Sequence, residues 1–110
     1  MPHHKNLFFS FIRYFAQYVW FIRHVLNTIL VLVIAGALVI SWAEAMQFGN
    51  AIYFAFITAF TIGYGDITPV STVARVVSIF IGLIGIIFSG LVVAISTKAL
   101  SSAVDDMRQQ

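Results

Sequence analysis

The sequence predicts an all-α membrane protein in which two transmembrane helices flank a re-entrant segment and a further helix precedes them on the membrane surface. Of its 110 residues, 61% are hydrophobic and 9% are charged, whereas about a quarter of the residues in soluble proteins are charged. The net charge is +2 and there is no cysteine. This composition disfavours a soluble enzyme and a nucleic-acid-binding protein, and it excludes a disulfide framework.

The first expected element is a helix over residues 7–24 that lies at the inner membrane surface. On a helical wheel its apolar residues share one narrow arc, with polar residues opposite and aromatic residues at the boundary. The apolar residues are Phe8, Ile12, Phe15, Val19 and Ile22. The weaker alternative is an N-terminal extension of the first span. A voltage sensor is rejected, because two arginines ten positions apart do not form an array with one at every third position.

Two stretches without charged residues predict the membrane spans, since an α-helix needs about 20 residues to cross the hydrocarbon core. The first holds the 20 residues 24–43, and the second holds the 22 residues 76–97. We therefore expect an outer helix over 25–43 and an inner helix over 76–97.

A third uncharged stretch, residues 45–65, predicts a short re-entrant helix rather than another span. Glycines lie near both of its ends, and Asn50 is a candidate N-cap for a helix of about three turns over residues 50–61. Irregular backbone after so short a helix is tolerated at membrane depth where it is buried in protein and lines a water-filled cavity.

The basic residues predict the orientation in the cell membrane. Arg75 follows the re-entrant segment, whereas the other five lie outside the two spans, on the side of the termini. Those five are Lys5, Arg13, Arg23, Lys98 and Arg108. By the positive-inside rule both termini are expected in the cytoplasm and the loop with Asp66 outside. Residues 98–110 are then a cytoplasmic tail, too short to fold into a regulatory domain. We expect either a pore-only channel or a pore whose regulatory domain is absent from this chain.

The selectivity filter of potassium channels reads Thr-Val-Gly-Tyr-Gly or a close variant, and residues 61–65 resemble it with Thr61, Ile62, Gly63, Tyr64 and Gly65. The similarity covers most of the chain: an outer helix, a pore helix, the filter and its exit, and an inner helix. It implies a homotetrameric two-transmembrane potassium channel pore domain of the bacterial type. Such a protein lies in membrane lipid and conducts K⁺ passively, with no cofactor and no enzymatic step.

Backbone oxygens carry the expected chemistry of this segment. A filter has to replace the water around K⁺ with about eight oxygens at fixed spacing, and we expect them from the carbonyls of Thr61, Ile62, Gly63 and Tyr64 and from the Thr61 hydroxyl. Gly63 and Gly65 accept the left-handed backbone that turns successive carbonyls to one side. The side chains of Ile62 and Tyr64 would then pack behind the filter. One chain supplies one strand of oxygens, so fourfold assembly follows.

Several residues around the filter depart from the family pattern. Tyr53 and Phe54 stand where two tryptophans are often found, Ile57 where some members have Glu, and Phe60 where many have Thr or Ala. We expect the Tyr53 hydroxyl to support the Asp66 carboxylate and thereby to brace the outer filter. Inactivation behaviour does not transfer across these differences.

The inner-helix glycines have two interpretations. Gly85 lies about where the family has its gating glycine, so a hinge and close helix packing are equally favoured there, whereas packing is favoured for Gly82 and Gly90. Glu44 is expected to mark the water interface. Arg75 is expected to anchor the second span, with an ion pair to Asp66 or Glu44 as the less favoured role.

Two other functions and one structural alternative are weighed against the channel. A proton-coupled multidrug transporter would need four spans and a carboxylate deep within one of them. A non-selective cation channel of the same fold would be favoured by an acidic residue in place of Tyr64. The structural alternative is an ordinary glycine turn between the two membrane helices. It would leave the short uncharged helix before the glycines without a function.

Overall fold

A computed structural model describes residues 6–109, and within this range the chain forms four α-helices and no strand. The helices are α1 (Asn6–Phe21), α2 (Arg23–Glu44), α3 (Phe48–Ala59) and α4 (Thr72–Arg108). Of these, α2 and α4 are long and apolar enough to cross a membrane, which confirms the two expected membrane-capable helices. Lys5, used above for the orientation, and Gln110, the end of the expected tail, lie outside the described residues.

The described residues divide into two compact units, of which the larger holds residues 26–89. Its core is made of small and branched side chains from α2, α3 and α4. Its buried members are Val33, Ala37, Ile40, Ala51, Ala55, Ala59, Ala74 and Ile81. The three alanines of α3 recur at every fourth position and so form one face of that helix, and their small size permits close approach of the neighbouring helices.

The turn between α2 and α3 corrects the expected start of the short helix. α2 ends in a Schellman arrangement, in which Ala45 has a φ of 53° and the Met46 N–H donates to the Ser41 carbonyl at 3.1 Å. Gln47 is the N-cap of α3. The expectation that Asn50 caps this helix is therefore wrong: its N–H already donates to the Gln47 carbonyl at 3.0 Å within the first turn. α3 thus runs two residues earlier than the expected 50–61.

The second unit contains the described residues 6–25 and 90–109. In it α1 contacts the C-terminal part of α4 through two polar pairs. Arg13 Nη2 lies 3.2 Å from Asp106 Oδ2, and the hydroxyls of Tyr18 and Ser102 are 2.7 Å apart. α1 ends at Phe21, before the expected residue 24, and α2 begins at Arg23.

α4 is longer than the expected inner helix. Its 37 residues correspond to about 56 Å at 1.5 Å per residue, so a helix of this length extends beyond a hydrocarbon core of about 30 Å. The helix begins four residues before residue 76 and continues to Arg108, which makes most of the expected tail helical. Ala99 and Ala103 are fully buried in the second unit, and neither Gly nor Pro follows Gly90, so nothing in the sequence stops the helix at Thr97.

Candidate functional site

The segment between α3 and the following turn alternates in backbone handedness. Thr61, Gly63 and Gly65 have positive φ values of 61°, 58° and 81°, whereas Ile62 and Tyr64 do not have positive φ. Glycine accepts this conformation without cost, but a β-branched threonine is an outlier in it. Such outliers persist where the surroundings impose them, and they cluster at functional sites.

The end of α3 fixes where this segment begins. The N–H groups of Ile62 and Gly63 both donate to the Ile57 carbonyl, at 2.9 and 3.3 Å. The Thr61 hydroxyl donates to the Phe60 carbonyl at 2.6 Å. The last turn of α3 thus orients the first residues of the segment through its own carbonyl groups.

The side chains of Ile62 and Tyr64, expected to pack behind the filter, are exposed in the single chain. Ile62 is 47% and Tyr64 68% exposed. Within residues 6–109 no buried environment receives them, so any packing of these two side chains has to come from another molecule.

Tyr53 and Asp66 lie in contact. The Tyr53 hydroxyl donates a hydrogen bond to Asp66 Oδ2 at 2.8 Å. This bond to a carboxylate raises the pKa of Tyr53 above the ordinary 10.0, since it favours the protonated phenol. The two residues that sequence reasoning paired are therefore brought together, at the point where the segment of alternating handedness ends.

Glu44 binds the backbone just before α4, at the other end of the loop that begins at Asp66. Its Oε1 accepts the N–H of Val70 at 3.1 Å, and its Oε2 accepts the N–H of Ser71 at 2.8 Å. Nearby, Arg75 Nε donates to the Pro69 carbonyl at 3.1 Å. The sequence suggested for Glu44 only the water interface or an ion pair with Arg75. The backbone contacts were missed because a carboxylate 26 residues from its partner leaves no local pattern.

Gly85 lies where α4 meets the end of α3. A Cβ built on Gly85 would stand 2.1 Å from the Ala59 carbonyl oxygen, whereas one on Gly82 or Gly90 would meet nothing within 4 Å. Close approach of two backbones therefore accounts for Gly85. The described residues therefore do not show the close packing that was favoured for Gly82 and Gly90. The hinge at Gly85 stays a prediction.

The comparisons with known proteins show the family of the chain. A family profile described as "Ion channel" matches residues 28–102, which is more than half of the chain. The protein therefore belongs to this ion channel family, whose members are not enzymes.

Among curated proteins the chain is similar to two potassium channels and to one potassium channel-like protein. It is 50% identical over 48 residues, 39% of this chain, to "Two-pore potassium channel 2" of Arabidopsis thaliana, and covers 11% of that protein. It is 42% identical over 52 residues, 47% of this chain, to "TWiK family of potassium channels protein 9" of Caenorhabditis elegans, covering 9% of it.

The third is "Small conductance calcium-activated potassium channel-like protein 3" of the same worm, 31% identical over 55 residues, half of this chain and 8% of the relative. The chain thus spans about a tenth of the length of these relatives. No solved structure matches it.

Proposed function

We propose that the protein is the pore-forming subunit of a potassium-selective channel, a homotetramer in the cell membrane with both termini in the cytoplasm. K⁺ passes down its electrochemical gradient through backbone carbonyls of Thr61 to Tyr64 and past the Thr61 hydroxyl. The observation that carries the proposal is the alternating handedness at Thr61, Gly63 and Gly65. The likeness to three proteins named as potassium channels supports it.

Backbone strain is the physical reason for giving this segment a function. A left-handed residue with a Cβ costs about 1–2 kcal/mol, and threonine adds the restriction of its branched Cβ. An ordinary turn would place glycine at residue 61. A threonine there combines the required backbone with a hydroxyl, which supplies a further oxygen to a dehydrated cation.

The exposure of the segment supports assembly. Four copies would bring four strands of carbonyls around one axis and would offer each Ile62 and Tyr64 a neighbouring chain to contact. A single chain supplies too few oxygens to replace the hydration shell of K⁺.

A proton-coupled transporter fits less well. Such a protein needs a carboxylate within a span, but the chain has no acidic residue between Arg23 and Glu44 or between Arg75 and Lys98. The four acidic residues of the sequence lie at helix ends, in the loop or in the C-terminal segment.

Flux from liposomes tests the proposal. We expect reconstituted protein to pass K⁺ far faster than Na⁺ and to be blocked by Ba²⁺. Gly63→Ala should abolish the K⁺ flux, because φ at this position is +58°. Gly49→Ala is the matched control, since Gly49 has ordinary φ and a Cβ there meets nothing within 4 Å.

Three outcomes would contradict the proposal. Equal Na⁺ and K⁺ flux would remove the selectivity, and flux that requires a proton gradient and an organic substrate would favour the transporter. Full K⁺ flux through Gly63→Ala would show that the left-handed backbone at residue 63 is not needed for conduction.

A further inference from the structure

Residues 66–71, here called the exit loop, connect the candidate filter to α4. The loop is bound at two points. Near its start Asp66 accepts the hydrogen bond of Tyr53 from α3. At its end the N–H groups of Val70 and Ser71 both donate to the carboxylate of Glu44 from α2.

We propose that Glu44 is a positioning residue for the outer end of the filter: its carboxylate holds the exit loop in the conformation in which residues 61–65 bind K⁺. The inference rests on the proposed function, because it assigns Glu44 a role in ion binding at that site. Glu44 itself does not touch the ion.

The chemistry of the contact requires a carboxylate. Two backbone donors point at one side chain, and a carboxylate presents an acceptor oxygen to each of them. Glutamine has one acceptor oxygen. Its amide NH₂ group is a donor, so it cannot accept the second backbone N–H. Aspartate keeps the charge but is shorter by one methylene, so it does not reach both donors without a shift of the loop.

The position of Glu44 makes it an effective anchor. It is the last residue of α2, and the chain beyond it is fixed by the bond from the Met46 N–H to the Ser41 carbonyl at 3.1 Å. A side chain placed on the end of a packed helix holds its partners more rigidly than one on a loop. The negative charge also lies at the N-terminus of α4, where the helix dipole favours it.

Ser71 allows the anchoring of the loop to be separated from the capping of α4. Its Oγ accepts the Ala74 N–H at 3.1 Å, which is an ordinary N-cap bond, while its own backbone N–H donates to Glu44. Ser71→Ala removes the cap and the contact of the Ser71 side chain with Glu44, but it keeps both backbone N–H bonds to the Glu44 carboxylate. Glu44→Gln weakens the Glu44 contact and keeps the cap.

The test uses the K⁺ dependence of tetramer melting in detergent, at constant ionic strength with Na⁺ as the replacing ion. An ion that binds only the folded state stabilises it by RT ln(1 + c/Kd), where c is the K⁺ concentration, so the melting temperature begins to rise as c passes Kd, the concentration at which binding is half-saturated. We expect Glu44→Gln to raise the half-saturating K⁺ concentration about tenfold, the effect of losing one charge-assisted hydrogen bond. Ser71→Ala should lower melting at every K⁺ concentration and leave half-saturation unchanged.

Gln47→Ala is the matched control, because Gln47 lies three residues further on and makes no side-chain capping bond; we expect it to match the unmodified protein. A purely structural role for Glu44 predicts a uniform fall in melting temperature with unchanged half-saturation, and that result would overturn the inference. If Glu44→Gln does not assemble, Glu44→Asp decides the question by the same criterion. An unmodified protein that K⁺ stabilises no better than Na⁺ would instead contradict the proposed function.

Discussion

Replacing Gly85 with alanine places a methyl group against the backbone of α3. The added Cβ would stand 2.1 Å from the Ala59 carbonyl oxygen and 2.8 Å and 2.9 Å from its carbonyl carbon and Cα. All three atoms are backbone, so no change of rotamer relieves the overlap. The helices have to separate by about 1 Å to restore an ordinary contact, which close-packed interiors resist.

The cost follows from two opposing effects. Inserting a methyl group into a packed site costs about 1–3 kcal/mol, while replacing a helical glycine by alanine gains about 1 kcal/mol. At Gly82, in the same helix, only the gain from replacing glycine by alanine applies, because a Cβ there meets nothing within 4 Å. We therefore expect Gly85→Ala to melt below the unmodified protein and Gly82→Ala to melt at or above it.

The same pair of variants separates the two interpretations of Gly85. Melting of the tetramer, followed by size-exclusion chromatography after heating, measures the packing effect. Single-channel recording in planar bilayers measures the opening probability, which a hinge would change while leaving the ion preference intact. If Gly85→Ala melts like Gly82→Ala, the close approach to Ala59 does not govern this position. A changed opening probability in such a variant would then favour the hinge.

Other contacts give smaller, separate expectations. Tyr53→Phe removes the hydrogen bond to Asp66 and should raise the half-saturating K⁺ concentration; an unchanged value would contradict the brace. Because the pKa of Tyr53 is raised above 10.0, its stabilising contribution is present below that pH and is lost as pH rises through the raised pKa, which melting between pH 8 and 11 checks. Arg13 and Asp106 are 59% and 33% exposed, so a double-mutant cycle should give a coupling under about 1 kcal/mol, and a larger one would contradict a surface pair.

The order of the elements could be predicted because each element has a local signal in the sequence. Uncharged stretches of adequate length gave the two membrane-capable helices, and glycines gave the short helix between them. The start of α3 was misplaced because Asn50 has the side chain of an N-cap, while the turn is set by Ala45 in the left-handed region. Alanine is a poor signal for that conformation, so the sequence alone does not show it.

The contacts of the candidate site differ in the same way: a contact close to a sequence motif could be predicted, and contacts that depend on helix packing could not. Tyr53 and Asp66 could be paired because both lie close to the filter motif, 13 residues apart. Glu44 with Ser71, 27 residues apart, and Gly85 with Ala59 depend on how α2, α3 and α4 pack, and no local pattern records that. The filter, the tetramer and the orientation in the membrane stay predictions.

These contacts account for the positions of two of the four acidic residues in this apolar chain. Asp66, the first residue of the exit loop, binds Tyr53 of α3, and Glu44 binds the other end of the loop. α4 meets the end of α3 through Gly85. A backbone with left-handed residues at 61, 63 and 65 depends on how its ends are held, because within residues 6–109 the side chains of Ile62 and Tyr64 stay exposed. Under the proposed function, ion binding by carbonyls would therefore place the demand for polar side chains at the ends of the filter rather than in it, and Glu44→Gln tests that demand directly.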